Sequence, residues 1–142
     1  MKVLLAFDGS DYALRAAKYL CKLKKENPST TVTVLVVSEM DEKIEEFLRS
    51  SKLYRELQEA YHKQATETME KAVALFQAEQ VEVETAIRQG LPSRNISSLA
   101  EEGGYDMIVM GKHGTNEFKG ILIGSNTRQV ISFSKCPVLV VK

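Results

Sequence analysis

Five short apolar runs recur along this chain, and a stretch of helical periodicity separates nearly every pair. The runs cover residues 2–7, 31–37, 81–88, 106–110 and 138–141. This alternation constrains the fold more than any single motif. Consecutive strands joined by helices lie parallel, because a parallel neighbour is reached only through a crossover, and such crossovers are right-handed. Runs 2–7 and 31–37 are almost continuously apolar, as in strands covered on both faces. Run 81–88 instead alternates Val81, Val83, Thr85 and Ile87 with Glu82, Glu84, Ala86 and Arg88. One face or edge of it therefore meets water, which puts it at a sheet edge. The expected fold is α/β: a doubly wound, five-stranded parallel sheet in the order 3-2-1-4-5, with helices on both faces, forming one domain over residues 1–142. In that order the topological switch point falls between the first and fourth strands, and ligands bind beyond the carboxyl ends of the strands at such a point.

The helical stretches carry their own punctuation. Ser10 is a good N-cap, and Ala13, Ala16, Ala17, Leu20 and Leu23 then recur at helical spacing before Asn27-Pro28-Ser29. Residues 53–76 form a longer helix with Leu57, Tyr61, Ala65, Met69, Val73 and Phe76 in one stripe. Tyr61 and Met69 on that stripe read as core. Residues 38–51 are acidic and weakly periodic, so they read as a mobile segment with room for a short helix. A third helix follows Gly90-Leu91-Pro92-Ser93, with Ile96, Leu99 and Ala100 inward and Gly103-Gly104 at its end. A last helix, 125–134, turns Thr127, Val130 and Ile131 inward.

Composition excludes several functional classes. Nineteen basic residues balance nineteen acidic ones, whereas nucleic-acid-binding chains normally show a basic excess. No apolar run approaches the roughly 18 residues of a membrane span, and Asp8 arrives too early for a signal peptide. Cys21 and Cys136 have no metal-ligand spacing and sit among apolar residues. Buried, reduced thiols and a cytoplasmic address are the expectation.

The loop after the fourth strand carries the chemistry. Gly111-Lys112-His113-Gly114, nine residues, then Gly124-Ser125 gives G-x2-G-x9-G-S directly after Met107-Ile108-Val109-Met110. A strand leaving into a glycine-punctuated loop and re-entering a helix at Gly-Ser is suited to phosphates. Glycines permit positive φ and close backbone approach, and a helix N-terminus offers unpaired N–H donors. Ser125 reads as the cap of that helix. The Walker A motif is absent, since Asp106 stands where its first Gly belongs and His113 follows Lys112. The Rossmann G-x-G-x-x-G follows none of the strands, and of a response regulator's acidic pair and lysine only Asp8 is present. His113 reads equally as a phosphate-neutralising group or as an exposed loop histidine, and His62 as a surface residue.

From end to end the chain resembles the ATP-binding branch of the universal stress protein family. The resemblance rests on Val3-Leu4-Leu5-Ala6-Phe7-Asp8-Gly9-Ser10, Gly90-Leu91-Pro92, Asp106 through Gly114, Gly124-Ser125, and Cys136-Pro137-Val138-Leu139-Val140-Val141. It implies that Asp8 contacts the base or ribose side of the nucleotide and that Val37 meets adenine through its backbone, with Met110 lining the same pocket. It further implies that Gly111, Gly114, Gly124 and Ser125 hold ribose and phosphates, with an added donor from Asn126. ATP, with Mg2+ or Mn2+ at its phosphates, is the cofactor so implied. Homodimerisation through Val138, Leu139, Val140 and Val141 is implied too, and the apolar edge run itself invites strand pairing. The family often has Pro at Ala6 and a small polar residue at Lys112; neither departure removes the glycine frame, and Lys112 adds a charge toward phosphate.

A sensor or switch fits better than an enzyme. Phosphoryl hydrolysis needs an oriented water, a base and a charge stabiliser, and neither Arg88 nor Arg94 is anchored near the loop by sequence. At most a slow ATPase is expected. Two other readings share the fold: a nucleotide-free dimeric partner protein, and an adenine-nucleotide hydrolase. The latter's Ser-Gly-Gly-x-Asp-Ser loop is not supplied by Phe7-Asp8-Gly9-Ser10.

Overall fold

The computed structural model describes residues 1–115 and 122–142. The middle of the nine-residue spacer, 116–121, lies outside the described residues. The elements run β1 (Lys2–Ala6), α1 (Asp11–Glu26), β2 (Thr31–Ser38), α2 (Glu42–Leu48), α3 (Lys52–Ala78), β3 (Glu84–Gln89), α4 (Pro92–Glu102), β4 (Met107–Gly111), α5 (Ser125–Phe133) and β5 (Val138–Val141). All four strand pairings are parallel, and the order is β3-β2-β1-β4-β5. The doubly wound α/β sheet anticipated from the alternation is the fold observed.

Each strand's alternation feeds two cores. Val3 and Leu5 of β1 join Val32, Val34 and Val36 beneath α1 and α3, where Ala13, Ala16, Ala17, Leu20, Met69, Ala72 and Phe76 pack. Leu4, Leu35, Ile108 and Met110 face the opposite way, onto Ile96 and Ala100 of α4 and Val130 of α5. The small alanines of α1 let its backbone sit close to the sheet. Eight fully enclosed aliphatic side chains at β1, β2 and β4, each contributing roughly 1.5–3 kcal/mol on burial, make the central three strands the stable heart of the molecule.

Several sequence expectations need correction. Strand β3 begins at Glu84, so Val81 and Val83 precede it and pack on the α1/α3 core from the loop. Within the strand Ala86 turns to the other core while Ile87 is exposed, the reverse of the face read from the alternation. Residues 42–48 form α2, capped by Asp41, whose carboxylate accepts from the Lys43 and Ile44 amides. None of its residues is buried, and it is tied to α3 where Tyr54 donates to Glu45 at 3.0 Å. In α5, Thr127 and Val130 are enclosed but Ile131 is 46% exposed. Cys21 is buried and Cys136 only half-buried; both are free thiols, and burial pushes that of Cys21 up.

Candidate functional site

The loops leaving β1 and β4 meet at the switch point, and three hydrogen bonds through one residue hold the first of them. Ser10 caps α1 by accepting from the Ala13 amide at 3.1 Å. Its own amide donates to Asp8 Oδ1 at 2.9 Å, and its hydroxyl donates to the His113 carbonyl at 3.3 Å. One buried serine thus ties Asp8, the start of α1 and the glycine loop together. The far side of the loop is fixed to α5: Gly124 is the N-cap, its amide donates to the Lys112 carbonyl at 2.9 Å, and Thr127 Oγ1 donates to the Gly111 carbonyl at 3.0 Å. Ser125 is therefore the first helical residue rather than the cap expected of it.

Between these elements opens a cleft of about 640 Å3. Of the eight site residues named from sequence, Asp8, Val37, Met110, Gly111, Gly114, Ser125 and Asn126 line it. Gly124 is not among the lining residues and acts from behind as the cap of α5. Around Gly114, Ser125 and Asn126 the lining includes the start of α5 with its positive pole. Val37 at the end of β2, with Pro92 and Ile96 of α4, adds apolar lining.

Glycine here serves close approach rather than positive φ. Among the described residues, positive-φ glycines are Gly9, Gly90 and Gly104, and none belongs to the G-x2-G-x9-G-S pattern. A Cβ on Gly111 would stand 2.7 Å from Tyr12 Cβ and 3.0 Å from the Ala13 nitrogen. A Cβ on Gly114 would stand 3.1 Å from Asp8 Oδ2. Gly111 thus seats α1 against β4, while Gly114 leaves room for the carboxylate across the cleft.

His113 is 5% exposed, with its ring edge toward Tyr12 at a centroid distance of 5.3 Å, so it is no exposed loop histidine. His62 is exposed as expected. Lys112 is half-buried and is not among the residues lining the cleft. Arg88 is engaged by Glu102 at 2.9 Å, and neither Arg88 nor Arg94 lines the cleft. Sequence reading missed a third wall: Tyr61, Gln64, Ala65 and Thr68 bring one face of α3 to the cleft, and Tyr61 is half-buried there rather than part of the core. The length of α3 against that of the strands was the available signal.

Glu39 at the end of β2 also borders the cleft. Glu39 is exposed overall, but partial desolvation of its carboxyl, and then the neighbouring Asp41 charge, pushes it upward from the ordinary glutamate value. The folded state then holds this proton more tightly than the unfolded chain, so its contribution to stability falls as pH rises through that interval. Glu39→Gln should raise Tm modestly above wild type at pH 7, and the difference should vanish below about pH 4, where both states carry the proton. Thermal melts at the two pH values check this; an equal gain at both would assign the effect to something other than ionisation.

A five-stranded doubly wound parallel sheet with a cleft at its switch point places the chain in the class of doubly wound α/β proteins. A family model, described as the universal stress protein family, matches residues 1–142. The chain belongs to that family. It is 31% identical over 143 residues to Universal stress protein MJ0531 of Methanocaldococcus jannaschii, covering 99% of this chain and 81% of that protein. The solved structure of MJ0577 superposes with a TM-score of 0.84 at 33% identity, covering 99% of this chain and 94% of that one. MJ0577 comes from the same organism. Universal stress proteins solved with cAMP, with dAMP (Archaeoglobus fulgidus) and with AMP (Arabidopsis thaliana) share the fold at TM-scores of 0.72, 0.68 and 0.71. Their identities are 23%, 24% and 19%; the matches span all of this chain and 97%, 98% and 91% of those chains.

Proposed function

We propose that this chain is an adenine-nucleotide-binding regulator of the stress response, holding ATP at the switch-point cleft and acting as a cytoplasmic homodimer. The observation that carries this reading is the switch-point cleft, lined both by the α5 N-terminus with the glycine loop and by apolar Val37, Pro92 and Ile96. Those two kinds of surface suit a triphosphate and a purine. The adenine nucleotides held by cAMP-, dAMP- and AMP-bound relatives of this fold support it. Asp8 then faces the ribose side, Val37 and Met110 the base, and Gly111, Gly114, Ser125 and Asn126 the phosphates, with Gly124 aiming α5. Among the described residues no three His, Cys, Asp or Glu side chains form a metal-binding group. Mg2+ or Mn2+ in this reading rides on the hard phosphate oxygens, which suit either ion.

The described cleft residues include the acids Asp8 and Glu39 but no arginine or lysine to stabilise the charge of a transferring phosphoryl group, so in this reading the nucleotide is held rather than rapidly turned over. A few charge-assisted bonds at roughly 1.5–3 kcal/mol each correspond to binding in the micromolar range. Calorimetric titration with ATP, ADP and AMP, with and without Mg2+, tests this. No binding of any of them below about 1 mM would replace the reading with that of a nucleotide-free partner protein.

The dimer is proposed at β5. Ile108 donates to the Pro137 carbonyl and Lys112 to the Val141 carbonyl, so odd-numbered residues of β5 bond to β4. Val138 and Val140 then turn their backbone groups to the free edge. Val140→Pro removes an outward N–H without touching the β4 ladder, as edge strands tolerate. Light scattering should show the wild-type dimer mass falling to that of the monomer with an unchanged far-ultraviolet spectrum. A persisting dimer would place the interface elsewhere.

A further inference from the structure

The cleft has a wall that neither the glycine pattern nor the strand ends account for. Helix α3 is 27 residues long, about 40 Å, whereas β2, the longest strand, has eight residues and spans about 26 Å. The helix must therefore overhang the sheet. Its buried residues are Ala65, Met69, Ala72 and Phe76, all in the C-terminal part, so residues 52–64 project about 20 Å past the last buried contact. The chain enters α3 from β2, so this projecting half stands at the carboxyl end of the sheet, where the cleft opens. Thr68 marks the level, since its Cγ2 lies 3.6 Å from where a Cβ on Gly9 would be, over the loop that follows β1. Tyr61 is two turns further out on the same face, about 10 Å beyond Thr68, and it borders the cleft together with Val37, Pro92 and Ile96.

We propose that Tyr61 is the base-contacting residue of this cleft, laying its ring against the face of a purine whose other side rests on the Pro92–Ile96 wall. The inference rests on the nucleotide reading above and adds the residue that holds the base. A purine presents two flat π-faces, and an aromatic ring laid on one of them adds stacking energy that an aliphatic side chain does not. Three described cleft residues carry aromatic rings: Phe7, Tyr61 and His113. Phe7 is 3% exposed within the α1/α3 core, and His113 is 5% exposed with its ring against Tyr12. Tyr61 lines the cleft and is only half-buried, so of the three it retains the most accessible surface. A half-buried tyrosine where the helical stripe leaves the core has an apolar ring and a polar hydroxyl, the combination suited to a binding surface.

Two variants separate stacking from simple shielding. Tyr61→Phe retains the ring, and Tyr61→Leu retains apolar bulk without a π-face. Because Tyr61 is not part of the enclosed core, both should melt near wild type. Expected affinities for AMP and ATP are within about twofold of wild type for Phe, and roughly 10- to 100-fold weaker for Leu. The Leu loss should be the same factor for both nucleotides, since they share the base and differ at the phosphates. In proton NMR the adenine H2 and H8 signals should move upfield on binding to wild type and Tyr61→Phe, and much less with Tyr61→Leu. Unchanged affinity in Tyr61→Leu, a loss that falls on ATP more than AMP, or an equal adenine shift in all three proteins would overturn the assignment while leaving the nucleotide reading in place. Failure of the wild-type protein to bind either nucleotide would overturn both.

Discussion

Gly111→Ala is expected to cost about 3 kcal/mol of folding stability, lowering Tm by roughly 6–12 °C, with no ligand present. The added methyl would stand 2.7 Å from Tyr12 Cβ, 2.9 Å from the Tyr12 carbonyl carbon and 3.0 Å from the Ala13 nitrogen. Two of these three atoms are backbone at the start of α1, and the third is fixed by it, so no side-chain rotation relieves the overlap. Relief requires moving α1 away from β4. That movement would open the junction where Ala13, Ala16 and Ala17 pack at 1% exposure or less. It would also draw Ser10 off the Ala13 amide and the His113 carbonyl. Thermal or urea unfolding of the unliganded protein measures the effect. A Tm within 2 °C of wild type would show that α1 yields more readily than close-packed interiors allow.

Gly114→Val should do the opposite: leave the fold intact and abolish nucleotide binding. Among the described residues a Cβ there meets only Asp8 Oδ2, at 3.1 Å, the far end of an exposed side chain that can swing aside. The cost to stability should stay below about 1 kcal/mol, in line with surface substitutions. The branched side chain, however, fills the space between the glycine loop and Asp8 and displaces the carboxylate from the Ser10 amide. In the proposed reading this removes the ribose contact and obstructs the phosphates together, so affinity for ATP should fall at least about 100-fold. The expected result is a normal melting curve with no calorimetric binding at ligand concentrations near 1 mM. ATP binding at wild-type strength in a folded Gly114→Val protein would remove the glycine loop from the site.

The contrast between these two glycines shows where sequence reading reaches its limit. Gly111 and Gly114 look alike in the pattern, and backbone freedom was the natural reason for both. In the folded chain neither uses positive φ. One accommodates a helix start some hundred residues earlier in the chain, and the other accommodates a carboxylate. Spacing along the chain cannot distinguish them, because the atoms each one must avoid arrive from elsewhere. Ile131 and Ile87 were misjudged for a related reason. Periodicity says which residues share a face, but the width of that face that is covered depends on how neighbouring elements sit, and β3 and α5 both lie toward the margins of the sheet. Val81 and Val83 were read as strand because alternation marks burial, and they are packed against the core from a loop just before β3. Helix α2 was harder to read because none of its residues is buried; its start is set by Asp41 accepting from two amides, a local cap that weak periodicity obscured.

The amino-acid order by itself determined the strand–helix alternation, hence parallel pairing. It also determined which strand belongs at an edge and the loop that leaves β4 at the switch point. These follow from local properties: side-chain period, turn residues, and the handedness that twisted strands impose on crossovers. The height of α3 above the sheet, the tie from Ser10 to His113, and the meeting of Tyr61 with Val37 and Pro92 in one cleft needed the folded chain. Each is a contact between residues far apart in sequence, with its distance set by how whole elements pack, and packing is a property of all the surrounding side chains at once.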